Sequence, residues 1–184
     1  MKTTFISFVL IALTLVSFGQ GTFTLSSSDI GGQASLTEEF NGFGCIGENK
    51  SPQLSWKNAP DGTKSFAVTM YDPDAPTGSG WWHWVMFDIP SSINELVSNA
   101  GDITTNLAPQ EAIQSITNYG AQGYGGPCPP EGHGIHQYII TVHALKTDKL
   151  GLDENTNPAV VGYYIWNNTI AKASIVTYYQ REAN

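Results

Sequence analysis

Two short stretches of the sequence carry the residues that could do chemistry. Asp72 and Asp74 lie in Asp-Pro-Asp-Ala-Pro, and His83 follows in Trp-Trp-His-Trp. Proline fixes φ and aspartate is uncommon in strands, so the first stretch predicts a stiff turn that ends one strand and carries two carboxylates. His136 follows a second loop rich in proline and glycine. We therefore predict a preorganised pocket that receives one imidazole from each of two rigid loops.

Aromatic residues accompany both histidines. Successive side chains of a strand face opposite sides of the sheet, so we expect Trp81 to share a face with His83. The two tryptophans that flank His83 should lie on the other face. By the same rule Tyr138 shares a face with His136. The sequence thus predicts a polar hollow with aromatic walls.

These residue types favour the binding of a small anion. A neutral imidazole donates one hydrogen bond, and a carboxylate partner fixes which nitrogen carries the proton. Amides of a glycine-rich loop add further donors. A phosphoryl or carboxylate headgroup would fit, with an apolar tail against the tryptophans. The chain has a single arginine, Arg181, so we expect an anion site of modest affinity that uses no guanidinium.

Other interpretations of the same residues stay open. Two aspartates and two histidines could bind a transition metal, but the close histidine pairs typical of such sites are missing, and we predict no metal. Ser79 near His83 could serve a hydrolase, although no nucleophile-elbow sequence occurs. The carboxylates could instead cap turn amides while the histidines are buried and satisfied. His133 and His143 are interpreted as structural.

Residues 1–19 have the pattern of a secretory signal peptide. Lys2 supplies a positive charge, an apolar stretch runs from Phe5 to Phe18, and the small residues Ser17 and Gly19 precede a cleavage site. This stretch is shorter than the ~20 apolar residues that a spanning helix needs, although an uncleaved anchor stays open. We predict a periplasmic or secreted protein of bacterial type, with one domain over residues 20–184.

The exported chain would be acidic. Without Lys2, 16 acidic side chains face 7 basic ones, which gives a net charge of −9. The basic residues form no cluster, so this surface disfavours nucleic acid and anionic membranes as partners. No second segment is apolar enough to cross a bilayer, and we expect no transmembrane segment.

Cys45 and Cys128 are the two cysteines of the chain. In an exported protein such a pair more often forms a disulfide than two free thiols, although two separate buried thiols stay possible. Catalysis by Cys128 is not expected, because no general base is adjacent to it in Gly-Gly-Pro-Cys-Pro-Pro.

The remaining pattern predicts a mainly β, α+β fold. Residues 23–26, 65–71, 82–89, 137–145 and 174–179 have strand composition, and residues 91–117 suggest loop with short strand pieces. Pro158 to Ala171 is the helix candidate, with Val160, Tyr164 and Ile165 on one face. The neighbouring Tyr163 and Trp166 are also expected to pack the helix. One helix among several strands implies an antiparallel sheet with helical material at one side.

Three motifs resemble the phosphatidylethanolamine-binding protein family, in its bacterial branch labelled Raf-kinase-inhibitor-like. They are Asp-Pro-Asp-Ala-Pro at 72–76, Gly-Trp-Trp-His-Trp at 80–84 and Pro-Pro-Glu-Gly-His-Gly-Ile-His-Gln-Tyr at 129–138. The resemblance implies a central antiparallel sheet, a second smaller sheet, a C-terminal helix and an anion pocket at the sheet rim. It also implies a cis Ala75–Pro76 bond. It places these residues at the ligand site: Asp72, Asp74, Trp81, His83, Pro130, His136 and Tyr138.

Two positions depart from the family pattern. Gln137 stands where an arginine is usual, and Glu131 stands where a lysine is frequent, which implies a more acidic pocket mouth. The resemblance favours a non-enzymatic binding protein, without cofactor, for phosphate or a phosphorylethanolamine-like headgroup. The alternatives are a secreted inhibitor or regulator of a protease or other enzyme, and a hydrolase that uses the histidines and aspartates. Export argues against a cytosolic kinase as the partner.

Overall fold

A five-stranded antiparallel sheet forms the centre of the structure, which is a computed structural model that describes residues 21–183. Its strand order is β6-β4-β3-β7-β8, and a smaller antiparallel sheet has the order β1-β2-β5. The strands are β1 Thr24–Ser26, β2 Leu54–Lys57, β3 Ser65–Asp72, β4 Trp81–Pro90, β5 Glu95–Leu96, β6 Ile113–Gln114, β7 His136–Leu145 and β8 Thr169–Tyr179, with helix α1 at Pro158–Asn168. The expected fold is confirmed. The predicted signal peptide lies outside the described residues.

The two faces of the central sheet bury different clusters. Val68, Met70 and Ile140 on one face pack with Leu54 and Trp56 of the small sheet. Side chains of the opposite face pack against α1. The inner strands β3 and β4 are therefore covered on both sides by apolar groups, which explains their nearly continuous burial. No helix within residues 21–183 is long and apolar enough to span a membrane.

Helix α1 turns a different face to the core than the sequence pattern predicts. Asn157 caps its first turn by accepting a hydrogen bond from the Ala159 N–H, and the buried residues are Pro158, Val161 and Ile165. Gly162 lies against the Trp82 ring, where a side chain would have little room. The Trp82 ring therefore packs closely against the helix at Gly162. The expectation that Val160 and Tyr164 face the core is therefore wrong.

The aromatic residues of α1 do not pack the helix either. Tyr163 is 61% exposed and Trp166 is 73% exposed. The helix also ends three residues earlier than predicted, at Asn168, because the Thr169 side chain and backbone bond back to the last turn and the chain enters β8 there. The last strand is consequently longer than the sequence indicated.

A β-bulge in β4 shapes the end of the sheet. Met70 of β3 pairs with Trp84 and the next residue, Tyr71, pairs with Trp82, so His83 has no partner across the strand pair. The bulge reverses the alternation after His83. Trp82 lies on the side opposite to His83, as predicted, and packs with the cluster that includes α1. Trp84 instead packs on the same side as Met70, so the expectation that it opposes His83 is wrong. The bulge thus places His83 at the rim of the sheet without a cross-strand neighbour on β3.

Candidate functional site

A cavity of about 190 Å³ opens at the end of the central sheet, where β3 ends and β4 and β7 begin. It is small beside the roughly 300–1,000 Å³ of drug-sized ligand sites. Six of the seven residues predicted for the ligand site line it: Asp72, Trp81, His83, Pro130, His136 and Tyr138. These six residues come from three strands, β3, β4 and β7, and from the loop that carries Pro130.

Asp72 anchors one wall of the cavity. Its carboxylate is buried, and Oδ2 accepts a hydrogen bond of 2.7 Å from His136 Nδ1. Its other oxygen, Oδ1, accepts from the backbone N–H of Asp74 at 2.8 Å. Asp72 thus caps the turn and also fixes the tautomer of His136, because Nδ1 must carry the hydrogen that it donates.

His133 extends this pair into a chain of three side chains. Its Nδ1 lies 2.7 Å from His136 Nε2, the nitrogen that does not contact Asp72. His133 is exposed, and it lies in the loop between Gly132 and Gly134. The sequence interpretation treated it as structural and missed this contact. The signal that could have found it is its position three residues before His136 in a glycine-rich loop.

The orientation of His83 is set by two backbone carbonyls. Its Nδ1 lies 2.7 Å from the Gly125 oxygen and 3.0 Å from the Gly126 oxygen. A carbonyl oxygen can only accept, so Nδ1 carries the hydrogen. Complete burial lowers the pKa of His83 to about 4, against the opposing effects of these carbonyls and of Asp72.

His83 is consequently neutral at pH 7, with an unprotonated Nε2. No hydrogen-bond partner for this nitrogen is found among residues 21–183. The expectation that this imidazole would present an N–H to an oxyanion is wrong, because its hydrogen is already donated to the loop carbonyls. It presents an acceptor instead.

Two other side chains supply donors. Trp81 Nε1 and the Tyr138 hydroxyl are buried, and neither has a hydrogen-bond partner in the described part of the chain. Burial raises the pKa of Tyr138 well above its usual range, so the hydroxyl keeps its hydrogen. Tyr119 differs, because its hydroxyl donates to the Gly126 oxygen at 2.8 Å. An unpaired buried donor costs about 1–3 kcal/mol, so these two groups are suited to an acceptor that comes from outside the chain.

Asp74 lies outside the cavity wall. Its side chain is exposed, and Oδ2 accepts a hydrogen bond of 2.9 Å from the Gln137 N–H. Asp74 therefore ties the turn after β3 to the start of β7. Its position supports this bracing role and does not support the ligand contact that the sequence predicted.

The turn after Asp74 reaches the cavity without a cis bond. No cis peptide bond occurs within the described residues, so the expected cis Ala75–Pro76 is wrong. The Thr77 N–H donates to the Ala75 carbonyl at 2.8 Å, which closes a tight turn around Pro76 with trans geometry. Ser79 is exposed and does not line the cavity, so it is not placed to act as a nucleophile beside His83.

The mouth of the cavity is braced by a disulfide and an arginine. Cys45 and Cys128 form the expected disulfide, which joins the loop around Phe43 to the loop that carries Pro130. The Arg181 guanidinium contacts Glu131 at 2.6 Å. The carboxylate that was expected to make the mouth more acidic is thus paired with a cation.

Phe43 forms the outer edge of the cavity, and sequence reasoning missed it. The ring is 71% exposed and lies 5.4 Å from the ring of Tyr119, measured between centroids. Both rings line the cavity. Neither residue belongs to the motifs that indicated the site, so only the fold shows that they reach it. Within residues 21–183 no group of three or more potential ligands is arranged to hold a metal ion.

Comparison with known proteins places this geometry in a family. The phosphatidylethanolamine-binding protein model matches residues 26–180. The chain belongs to the phosphatidylethanolamine-binding protein family. The UPF0098 protein YbcL of Escherichia coli (strain K12) is 46% identical over 182 residues, which cover 98% of this chain and 99% of that protein. The UPF0098 protein YbhB of the same strain is 46% identical over 74% of this chain and 85% of its own length.

Solved structures support the same fold. The crystal structure of E. coli YbcL covers 87% of this chain and 99% of that chain, with a TM-score of 0.85. A family homologue from Chlamydia trachomatis, 24% identical, aligns over 87% of this chain and 98% of its own with a TM-score of 0.71, which bears on the fold alone. The protein is thus a binding protein of this family, in the bacterial branch to which YbcL and YbhB belong.

Proposed function

We propose that the protein is a non-enzymatic binding protein that holds a small oxyanion in this cavity. The oxyanion would be phosphate or a phosphoryl headgroup, such as that of phosphorylethanolamine. The observation that carries the proposal is that Trp81 and Tyr138 line the cavity, and that neither Trp81 Nε1 nor the Tyr138 hydroxyl has an acceptor within residues 21–183. Two such donors match two oxygens of a phosphoryl group.

The surroundings support a small polar ligand in a largely apolar container. Phe43, Pro76 and Pro130 line the cavity together with the aromatic rings. Such walls reduce the number of water molecules that compete for the donors, and hydrogen bonds to a charged acceptor are stronger than neutral ones. The volume of about 190 Å³ suits a headgroup better than a whole lipid.

The test is calorimetry with inorganic phosphate at pH 6 on the wild type, Trp81→Phe and Tyr138→Phe. Each substitution removes one donor to a charged ligand, so the affinity should fall roughly 10-fold or more. His143→Asn is the control, because His143 lines a groove at the other side of the sheet. Equal affinity in all four proteins, or no binding to any of them, would contradict the proposal.

Stability measurements separate a ligand role from a structural one. In the free protein the Tyr138 hydroxyl has no acceptor within residues 21–183. Replacing an unsatisfied buried hydroxyl with a hydrogen should therefore leave the free energy of unfolding unchanged or raise it. A Tyr138→Phe protein that loses both phosphate affinity and stability would point to a structural role instead.

Rival roles have their own readouts. An inhibitor of a protease or other enzyme would slow a target enzyme equally with and without Tyr138→Phe. A hydrolase would turn over p-nitrophenyl phosphate and lose this activity in His83→Asn.

The disulfide supports export to an oxidising compartment, periplasmic or extracellular. N-terminal sequencing of the mature protein checks the cleavage of the signal peptide, and a chain that still begins at Met1 would contradict that cleavage.

A further inference from the structure

We propose that the cavity selects oxyanions that carry a proton, because His83 accepts a hydrogen bond from the bound ligand. Phosphomonoesters and inorganic phosphate have such a hydrogen on one oxygen, whereas phosphodiesters do not. This inference rests on the proposed function, since it specifies which phosphoryl compounds the same cavity takes.

The first step is the locked tautomer of His83. Two carbonyl oxygens, those of Gly125 and Gly126, lie 2.7 and 3.0 Å from Nδ1 and require a hydrogen there. A neutral imidazole has one hydrogen, so Nε2 offers a lone pair. His83 lines the cavity, and Nε2 is the polar atom of its ring that the loop leaves unused.

The cavity as a whole offers a defined set of hydrogen-bond donors and acceptors. Trp81 and Tyr138 supply two hydrogens, and His83 supplies one acceptor. A singly protonated phosphoryl group presents the complementary set, with oxygens that accept and one hydroxyl that donates. A fully deprotonated group would instead direct an oxygen lone pair at the lone pair of His83 Nε2, and that contact is repulsive.

The third step is the charge around His83. Asp72 on β3 and His136 on β7 interact electrostatically with His83. The phenol rings of Tyr119 and Tyr138 lie 5.5 and 5.0 Å from its ring, measured between centroids. Asp72 is buried, with hydrogen bonds to both of its oxygens. A buried carboxylate beside the cavity disfavours additional negative charge, which also favours the protonated form of the ligand.

His136 does not replace His83 as the acceptor. Its Nδ1 donates to Asp72, and its Nε2 is 2.7 Å from Nδ1 of His133. Both ring nitrogens are therefore used within the chain. Among the histidines that line the cavity in the described residues, His83 alone has a nitrogen free for a ligand.

The binding of a phosphomonoester should depend on pH. A phosphomonoester loses its last proton near pH 6, whereas a diester has none to lose. The complex retains one proton, whether it sits on the ligand oxygen or on His83 Nε2. The affinity for a monoester should therefore fall roughly tenfold for each pH unit above about 6.5, and binding at pH 8 should take up about one proton.

The test is calorimetry with methyl phosphate and dimethyl phosphate on the wild-type protein at pH 5.5. Both ligands then carry essentially one negative charge, and they differ in P–OH against P–OCH3. Methyl phosphate should bind at least tenfold more tightly. Equal affinity for the two ligands overturns the inference but leaves the proposed function intact. Failure of both ligands and of inorganic phosphate to bind overturns the proposed function itself.

His83→Asn tests the residue. The asparagine amide lies near the position of imidazole Nδ1, so it retains a donor for the Gly125 and Gly126 carbonyls while the Nε2 acceptor is lost. The preference for methyl phosphate should fall to roughly equal affinities, and the pH dependence should flatten. His143→Asn should keep the wild-type preference. An unchanged preference in a folded His83→Asn protein overturns the assignment to His83.

Two further ligands distinguish a lipid source from a free metabolite. Dihexanoyl phosphatidic acid is a lipid monoester, and phosphorylethanolamine is a free one. Tighter binding of the former supports a lipid headgroup, and tighter binding of the latter supports a soluble phosphomonoester. Dihexanoyl phosphatidylethanolamine is a diester, and affinity for it equal to that for the monoesters overturns the inference.

Discussion

His83 and His143 are two largely buried histidines whose surroundings differ. His83 lines the ligand cavity, whereas His143 lies in a groove beside α1 and β8. Burial lowers the pKa of each to about 4, and for His143 the nearby Lys172 adds to this effect. In the unfolded chain each pKa returns to about 6.5, so the unfolded state binds protons first as the pH falls.

This difference predicts a loss of stability in mild acid. Each histidine contributes stability that is fully present above pH 6.5 and is lost as the pH falls from 6.5 through 4. Between pH 7 and pH 4.5 the free energy of unfolding should fall by roughly 2 kcal/mol for each histidine. Urea denaturation at the two pH values measures this fall.

His143→Asn isolates the contribution of one site. This variant should lose roughly 2 kcal/mol less than the wild type over the same pH interval, because the carboxylates that titrate in this range are common to both proteins. Its phosphate affinity should be unchanged. The same pH dependence in both proteins would show that His143 is protonated equally in the folded and unfolded states.

At the scale of elements, alternation and turn chemistry predicted the central strands but not their irregularities. Residues 65–71, 82–89 and 137–145 had the composition of strands and lie in β3, β4 and β7. The bulge at His83 could not be predicted, because the alternation of side chains along a strand does not show where an extra residue is inserted. The face of α1 was predicted wrongly because Val161 packs with Ile165 against the sheet, and the predicted apolar face did not include Val161.

The loop around Gly126 positions more of the site than any motif suggested. The Gly126 oxygen accepts hydrogen bonds from His83 and from the Tyr119 hydroxyl. Its N–H donates to the Asn49 side chain at 2.8 Å. A Cβ at this position would overlap the backbone carbonyl of Glu38. The loop therefore lies close against a neighbouring segment, and a larger residue must displace it.

Gly126→Ala should consequently disturb stability and binding together. Overpacking against backbone costs about 1–3 kcal/mol, and the displaced carbonyl would release His83 and Tyr119. We expect a lower unfolding temperature and at least a tenfold loss of phosphate affinity, measured by thermal denaturation and calorimetry. Gly31→Ala is the control, since nothing lies within 4 Å of its added Cβ. Equal behaviour of the two variants would show that the loop adjusts freely.

At the scale of the whole molecule, the site depends on contacts that are distant in sequence. Asp72 and His136 are separated by 64 residues and meet through the pairing of neighbouring strands. The sequence predicted that they would converge, because each follows or precedes a strand next to a rigid loop. It could not predict that His133 joins them or that Phe43 closes the mouth, since both depend on how loops fold over the sheet.

The segment after β8 is tied to this mouth. Arg181 donates to the Gly44 carbonyl at 3.0 Å and contacts Glu131, so it links the segment after β8 to both loops. Cys45, next to Gly44, forms a disulfide with Cys128, and the two cysteines are 83 residues apart in the sequence. The disulfide and the arginine brace the same pair of loops, and Cys128 itself lines the cavity.

Removal of the disulfide should therefore weaken both the fold and the site. A crosslink across a separation of 83 residues contributes about 4 kcal/mol when the main effect is the entropy of the unfolded chain. The Cys45→Ala/Cys128→Ala double variant should lose about this free energy of unfolding in urea. Its phosphate affinity should fall several-fold, because the loops with Phe43 and Pro130 are no longer joined. The wild type unfolded under reducing conditions is the control, and it should match the variant. If reduction leaves the free energy of unfolding unchanged, the bond does not constrain the unfolded chain, and Arg181 alone would have to hold the two loops together.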